Sequence, residues 1–235
     1  MSENEMDDIV VTEEYMNEYG NDESHVSEIN NNNLSKHLDV FKEIGNIGAG
    51  HAASALAGIL DRRISMSVPE ASVLPFTEIV NVLEGPETLV AGVLIDVSGD
   101  LNGYILLLLS MNDAMAMVAQ ALHDEVRDTT DPGFELTELE KDTLLEIANI
   151  LVGSFLSAIS SFSGLGATPT VPQLAIDMLG AILSIAMIEY GKIGDSVLFL
   201  KTQFNDLAGD VNGHFFLIPD YNSYKILLNA LGLDG

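Results

Sequence analysis

Two short polar motifs in the sequence place a carboxylate and an amide at helical spacing. Glu43 is followed three residues later by Asn46, and Glu146 is followed at the same interval by Asn149. Residues three apart lie side by side on one face of an α-helix, so each motif would present both groups together. A carboxylate accepts hydrogen bonds, whereas a neutral amide both donates and accepts. One such pair alone is typical of an ordinary solvated helix face, because this spacing is frequent in amphipathic helices.

The two motifs belong to an internal repeat. Four residues recur at a single offset of 103: Asp39, Glu43, Asn46 and Pro69 return as Asp142, Glu146, Asn149 and Pro172. A merely solvated face would be expected to drift between copies, as the neighbouring Gly48 and His51 have done. The retained carboxylates and amides therefore indicate a function.

The glycines around the first motif raise a second possibility, a loop that binds phosphate. Residues 42–50 read KEIGNIGAG, but the second copy has Ala148 and Leu151 where the first has Gly45 and Gly48. A phosphate loop depends on its glycines for close backbone approach, so this replacement favours a helix. We predict that Gly50, which is kept in both copies, marks a close contact between paired helices, together with its counterpart Gly153.

Each copy predicts the same order of elements. A helix, at about residues 36–60 and 138–163, is followed by an extended segment with proline, two β-rich runs and a second helix. The β-rich runs cover residues 90–97 and 104–109, then 196–204 and 214–218, and a D-x-N-G turn joins each pair. The closing helices, at about 111–125 and 220–232, begin near Asn112 and Asn222, which can cap them. Since one hairpin with its helices buries too little surface alone, we predict one pseudo-twofold α/β domain built from two intertwined repeats.

The domain boundaries follow from composition. Residues 1–33 carry ten acidic side chains and no Lys or Arg, which predicts a mobile acidic tail. Residues 34–235 form the domain, with repeat one at 34–126, a polar linker, and repeat two at 134–235.

Composition also restricts the classes of function. The chain has no cysteine, and its five histidines lack metal-ligand spacing, so we predict no metal bound by the protein itself. The formal charge of −27 argues against nucleic acid and anionic membrane surfaces as partners, although such acidity also serves solubility. The acidic start lacks the features of a secretory signal, and the longest apolar run, 178–188, is too short to span a bilayer. These features predict a cytoplasmic protein.

The repeated motifs resemble the two signatures of the CheC/CheX/FliY family of chemotaxis phosphatases, which dephosphorylate the response regulator CheY. Both copies read D-x3-E-x2-N-x22-P, and the resemblance covers residues 34–235. It is strongest to the CheC members, because both motifs are present and no flagellar switch domain follows the second copy before Gly235. It implies an α/β (α+β) fold with two α-β-β-α repeats, a continuous, mostly antiparallel sheet and paired long helices on one face.

The resemblance also implies roles for the motif residues. Asn46 and Asn149 would orient the attacking water, and Glu43 and Glu146 would pair with the active-site lysine of CheY. The protein would need no cofactor of its own, because CheY brings Mg²⁺ to the reaction. Two alternatives stay open for Asp39 and Asp142, direct contact with the substrate or a carboxylate favoured by the helix dipole. Pro69 and Pro172 would redirect the chain after each helix.

A second partner is implied by seven extra residues in the second copy. Residues 173–183 read as a continuous helix, and in CheC proteins a helix here binds the receptor deamidase CheD, with Asp177 as the contact. Asp177 could equally lie at the solvated edge of a core helix. The alternatives to a two-site phosphatase are therefore an adaptor with little or no catalysis that holds CheD, and a FliY-type motor component, which the short C-terminus disfavours. The internal repeat makes a monomer sufficient.

Overall fold

A computed structural model describes residues 31–60, 64–75, 78–82, 85–129, 134–190, 196–207 and 209–233. The first 30 residues of the predicted acidic tail lie outside the described residues. Six helices are described: α1 Asn31–Leu60, α2 Ile79–Val82, α3 Met111–Leu122, α4 Glu138–Ser163, α5 Leu179–Tyr190 and α6 Tyr221–Ala230. Seven strands accompany them: β1 Ser65–Pro75, β2 Leu89–Gly99, β3 Gly103–Ser110, β4 Ala167–Pro169, β5 Gln173–Met178, β6 Ser196–Leu207 and β7 Gly209–Pro219.

The seven strands form one sheet in which each half of the chain supplies an edge to the other. The strand order is β1-β6-β7-β3-β2-β4, with β5 also paired to β2, and every pairing between described strands is antiparallel. The central pair, β3 with β7, joins the two halves. At the edges, β1 of the first half pairs with β6 of the second, and β5 of the second pairs with β2 of the first. The predicted α+β fold with a continuous antiparallel sheet is confirmed.

The sheet buries a core on each face. The larger core lies under the long helices α1 and α4, which pack against each other, and it includes Phe155, whose ring stacks on Phe215 at 4.4 Å between centroids. The smaller core lies on the opposite face with α5 and includes Phe216. Because neighbouring residues of a strand point to opposite faces, Phe215 and Phe216 serve different cores. The paired long helices on one face, as predicted, thus carry both polar motifs.

The glycine-rich segment 42–50 is helical, as predicted, but the close contacts are made by different glycines. A Cβ on Gly48 would lie 3.0 Å from the Cα of Phe155 in α4, and one on Gly45 would lie 3.3 Å from Val68 in β1. Nothing lies within 4 Å of a Cβ built on Gly50 or Gly153. The prediction that Gly50 and Gly153 mark the helix contact is therefore wrong.

Three further local predictions are corrected. The second D-x-N-G segment is not a turn: residues 209–213 lie within β7, where Val211 pairs with Phe204 and Gly209 pairs with Leu207 of β6. Burial of Val211 and Phe204 explains why this segment stays extended. The caps of α3 and α6 are the oxygens of Ser110 and Asp220, rather than Asn112 and Asn222.

The predicted helix over 173–183 is also wrong in its first half. Residues 173–178 form β5, whose Leu174 and Ile176 are more buried than their neighbours in the strand, and the helix begins only at Leu179. Alternating burial is typical of a strand with one packed face, which explains why the segment pairs with β2. Asp177 accordingly lies in a strand.

Candidate functional site

The start of α4 is fixed by a capping box and a buried carboxylate. The Thr137 hydroxyl accepts a hydrogen bond from the Glu140 N–H, and the Glu140 carboxylate accepts one from the Thr137 N–H at 2.6 Å. Arg127, from the segment before the helix, reaches both oxygens of Glu140 at 2.9 and 2.7 Å. Burial alone would raise the pKa of Glu140, but the bonds from Thr137 and Arg127 outweigh burial and hold that pKa below its ordinary value. These contacts set the position of the helix that carries the second motif.

One face of α4 is a continuous exposed stripe. Asp142, Glu146, Asn149 and Gly153 follow one another at intervals of four, three and four residues, and all are exposed. The stripe begins with Leu139, which is 62% exposed although it is apolar. Such spacing aligns side chains along a helix, so an approaching partner would meet a leucine, two carboxylates and an amide in sequence.

The equivalent stripe on α1 has the same carboxylates but a different amide environment. Asp39 and Glu43 are exposed, whereas Asn46 is partly buried. The Val68 N–H donates to the Asn46 Oδ1 at 2.8 Å, and the Asn46 Nδ2 donates to the carbonyl oxygens of Val68 and Lys42 at 3.4 and 3.0 Å. Both ends of the Asn46 amide are therefore engaged with the chain's own backbone.

The second motif lacks this contact. At the repeat offset of 103, the counterpart of Val68 is Val171, a residue that is 81% exposed. Within the described residues, the amide of Asn149 forms no hydrogen bond and faces solvent. The two motifs share residue types and spacing, but only Asn149 presents an unoccupied amide.

The other predicted residues lie beside these stripes or away from them. Pro69 lies inside β1, where the register with β6 shifts between residues 67 and 70, and Pro172 lies between β4 and β5. Each proline thus follows its helix within the extended edge segment, as predicted. Asp177 is exposed in β5, and its Oδ1 accepts a hydrogen bond from the Met178 N–H at 2.7 Å.

The chemistry available on the stripes is that of carboxylates and amides. No group of three or more His, Cys, Asp or Glu side chains suited to a metal occurs among the described residues. By length and composition α4 could cross a membrane, but half of its apolar window is buried inside the fold, as in the core helix of a globular domain. The apolar residues of α4 therefore pack in the core, and its polar stripe faces solvent.

Sequence reasoning missed two structural partners of the motifs. The first is Val68, and its signal was present, since the 22-residue gap from Asn46 ends at the proline next to Val68. The second is the pair Arg127 and Glu140, for which Thr137 and Glu140 gave the spacing of a capping box.

Comparisons with known proteins identify the family of this chain. The model of a family described as CheC-like matches residues 37–73 and 139–176, which contain both motifs. The chain is 34% identical over 197 residues to the CheY-P phosphatase CheC of Bacillus subtilis, covering 83% of this chain and 93% of that protein. It is 26% identical over 177 residues to the flagellar motor switch phosphatase FliY of B. subtilis, covering 74% of this chain but only 43% of that protein.

Solved structures show the same fold. The crystal structure of Thermotoga maritima FliY matches with a TM-score of 0.67 and 18% identity, covering 84% of this chain and 96% of that one. The middle domain of FliM from Vibrio alginolyticus matches with a TM-score of 0.59 and 15% identity, over 80% and 97% of the two chains. At these identities the likeness concerns the fold alone.

Proposed function

Because the chain belongs to the CheC-like family, we propose that it is a chemotaxis phosphatase that hydrolyses the aspartyl phosphate of the response regulator CheY. The observation that carries the proposal is the exposed pair of Glu146 and Asn149 on α4, within one of the two segments that the family model matches. A carboxylate and a free amide on one rigid helix face can bind a cation and a water molecule at a fixed separation.

The proposed reaction divides the work between the two proteins. Phosphorylated CheY supplies the aspartyl phosphate, its Mg²⁺ and a lysine, so this chain has to position one water molecule. The Asn149 Oδ1 accepts a hydrogen bond from that water, whose oxygen attacks phosphorus opposite the aspartyl oxygen. The bond from phosphorus to the aspartyl oxygen breaks, which releases inorganic phosphate and a free aspartate. An amide suits this role because it adds no negative charge beside the phosphoryl oxygens.

Glu146 is assigned to the lysine of CheY, as Glu43 is in the first site. An ion pair across the interface would fix the approach of the two proteins and guide the encounter. Asp142 and Asp39 lie on the same stripes, one turn earlier, and extend the negative surface that meets this partner. The chain's charge of −27 supports a partner with basic groups around its active site.

The two sites are proposed to differ in activity. Asn149 is free to hold water, whereas Asn46 would first have to break its bonds to Val68. Breaking a hydrogen bond to a buried backbone group costs about 1–3 kcal/mol, which lowers the fraction of molecules with a free Asn46 amide by roughly 5-fold to 150-fold. Most turnover is therefore assigned to Asn149 on α4.

The test is the decay of phosphorylated CheY, with Mg²⁺, in the presence of wild type or one of four variants. Wild type should accelerate the decay, Asn149→Ala should lose most of the acceleration, Asn46→Ala a smaller share, and the double variant all of it. Asn229→Ala is the matched control, because Asn229 is an exposed helical asparagine of α6 whose amide donates to the Lys225 carbonyl. Full activity in the double variant would overturn the assignment of both asparagines. An inactive wild type that still binds CheY would leave the adaptor function as the better description.

Binding of CheD is the second candidate, and the exposed edge around β5 supports it. Asp177 is exposed there, and the adjacent Met178 is 51% exposed although it is apolar. An apolar side chain beside a carboxylate at a sheet edge suits a protein partner. Asp177→Lys should remove CheD from a pull-down while CheY dephosphorylation continues; retained CheD binding would exclude this edge. We place both activities in the cytoplasm and expect a monomer, because one chain carries both stripes.

A further inference from the structure

A cavity on the sheet face opposite α1 and α4 combines both signs of charge with a buried histidine. Its volume is about 290 Å³, and Glu70, Glu78, Lys201, His214, Ser72 and Phe199 contribute to its lining. His214 lies two residues before Phe216 in β7, so the two side chains point to the same face of the sheet. Phe216 belongs to the smaller core, and this face is the one away from the polar stripes. The cavity is therefore separate from the proposed phosphatase sites.

His214 contributes a buried imidazole to the lining of this cavity. The residue is only 7% exposed, and its Nδ1 is buried without a hydrogen-bond partner among the described residues. The imidazole is held by Phe199, whose ring lies 5.9 Å away and nearly parallel to it. The Ser72 hydroxyl, also buried without a partner, lies in the same lining.

The charged side chains of the cavity are available to a ligand. Lys201 stands directly opposite His214 across β6 and β7, and opposite Glu70 across β6 and β1. Despite this register, neither Lys201 nor Glu70 forms an ion pair with another described residue. Glu78 contributes a second carboxylate from the residue just before α2.

These groups select the chemistry of the ligand. A simple anion would suit Lys201 but would meet two carboxylates, and a simple cation would suit the carboxylates but would meet Lys201. A molecule with one group of each sign satisfies both sets, because its carboxylate can face Lys201 while its ammonium faces Glu70 and Glu78. The cavity volume lies near the lower end of the range of about 300–1,000 Å³ for small-molecule sites, which suits a small metabolite. We propose that this cavity binds a small zwitterion with one ammonium and one carboxylate group, of the size of a free amino acid.

The test uses the full chain and measures binding by isothermal titration calorimetry. The twenty protein amino acids are titrated one at a time, with butylammonium and butyrate as probes that carry only one of the two charges. At least one amino acid should bind saturably, and neither singly charged probe should bind at the same concentrations. Failure of all twenty amino acids, or equal binding of butyrate or butylammonium, overturns the proposal.

Two variants link binding to the cavity. Lys201→Met and Glu78→Gln should each weaken binding about tenfold or more, because each removes a charge-assisted contact. The exposed Lys225 and Glu87, changed to Met and Gln, are the matched controls and should bind as wild type does. Both test side chains are only partly buried, so the variants should fold, which circular dichroism checks. Unchanged binding in both Lys201→Met and Glu78→Gln overturns the assignment to this cavity, whatever the phosphatase assays show.

Discussion

The side-chain amide of Asn46 is hydrogen bonded to the backbone of Val68 in both directions, so one residue of α1 holds the edge strand β1 in place. The counterpart Asn149 has no such contact within the described residues. Two asparagines at equivalent positions of a repeated motif thus have different roles. The first contributes to stability, whereas the second is free for a ligand or a water molecule.

This difference predicts unequal effects of the two alanine substitutions on stability. Asn46→Ala should lower the free energy of unfolding by about 1–3 kcal/mol, because it leaves the N–H of the buried Val68 without a partner. Asn149→Ala should change it by less than about 0.5 kcal/mol. Asn46→Asp should recover part of the loss, since a carboxylate oxygen can still accept from the Val68 N–H. Urea unfolding of the three variants measures this, and equal stability of the two alanine variants would contradict the distinction.

The contact between Arg127 and Glu140 predicts a second stability effect, this time dependent on pH. Arg127→Met should destabilise the protein by about 1.5–3 kcal/mol near neutral pH, because Glu140 is buried and loses two charge-assisted bonds. Lys141→Met is the control, since its ion pair with Glu138 is exposed to solvent and should contribute little to stability.

The pH dependence follows from the lowered pKa of Glu140. A carboxyl group whose pKa is lower in the folded state contributes stability above its ordinary pKa and loses it as pH falls through the folded value. The difference in free energy of unfolding between wild type and Arg127→Met should therefore shrink as the pH is lowered below about 4.5. Urea unfolding at several pH values measures this difference, and a difference that stays constant down to pH 3 or so would show that Glu140 titrates without regard to Arg127.

Much of the fold was predictable because hydrophobic periodicity is strong in the long elements. The bounds 138–163 for α4 match the structure, and both hairpins occur where β-rich runs were predicted. Residues 173–178 were missed because Leu174 and Ile176 suit a helix as well as a strand when sequence alone is considered. What decides between them is pairing with β2, a contact distant in sequence.

The sequence predicted that both motifs lie on helix faces, but it did not predict that their two asparagine amides differ in hydrogen bonding. Spacing places Asn46 and Asn149 on equivalent faces, and both faces were found. Whether each amide is free depends on how the following edge strand packs, and Val68 is buried where Val171 is exposed. The second D-x-N-G segment failed as a turn for a related reason, since burial of Val211 against β6 outweighed the local preference for a turn.

The glycines of α1 predict two substitutions of opposite sign. Gly48→Ala should destabilise the protein, because its Cβ would lie 3.0 Å from the backbone of Phe155 and would force α1 and α4 apart. Gly50→Ala should stabilise it by up to about 1 kcal/mol, because its Cβ meets nothing within 4 Å and alanine favours the helix. Thermal unfolding of both variants tests the packing, and a stabilised Gly48→Ala would show that the helices can separate without cost.

His214 predicts a loss of stability in mild acid. Burial first, and then the nearby Lys201, lower the pKa of its imidazole from 6.5 to about 4, while Asp113 acts in the opposite direction. The unfolded chain therefore binds a proton that the folded chain does not over this range, so stability falls as the pH drops from about 6.5 to about 4. The full loss is roughly 3 kcal/mol, at 1.36 kcal/mol for each pKa unit.

A variant isolates this contribution from the titration of the many carboxylates. His214→Gln keeps a polar side chain but cannot titrate, so its stability relative to wild type should rise steadily as the pH is lowered through that range. His51→Gln, at an exposed position of α1, controls for the loss of a histidine as such. Urea unfolding at several pH values gives the difference directly. A difference in free energy of unfolding between wild type and His214→Gln that stays constant with pH would contradict the prediction. That result would mean that the imidazole is protonated inside the fold, with Glu70 or Glu78 of the same cavity supplying the counter-charge.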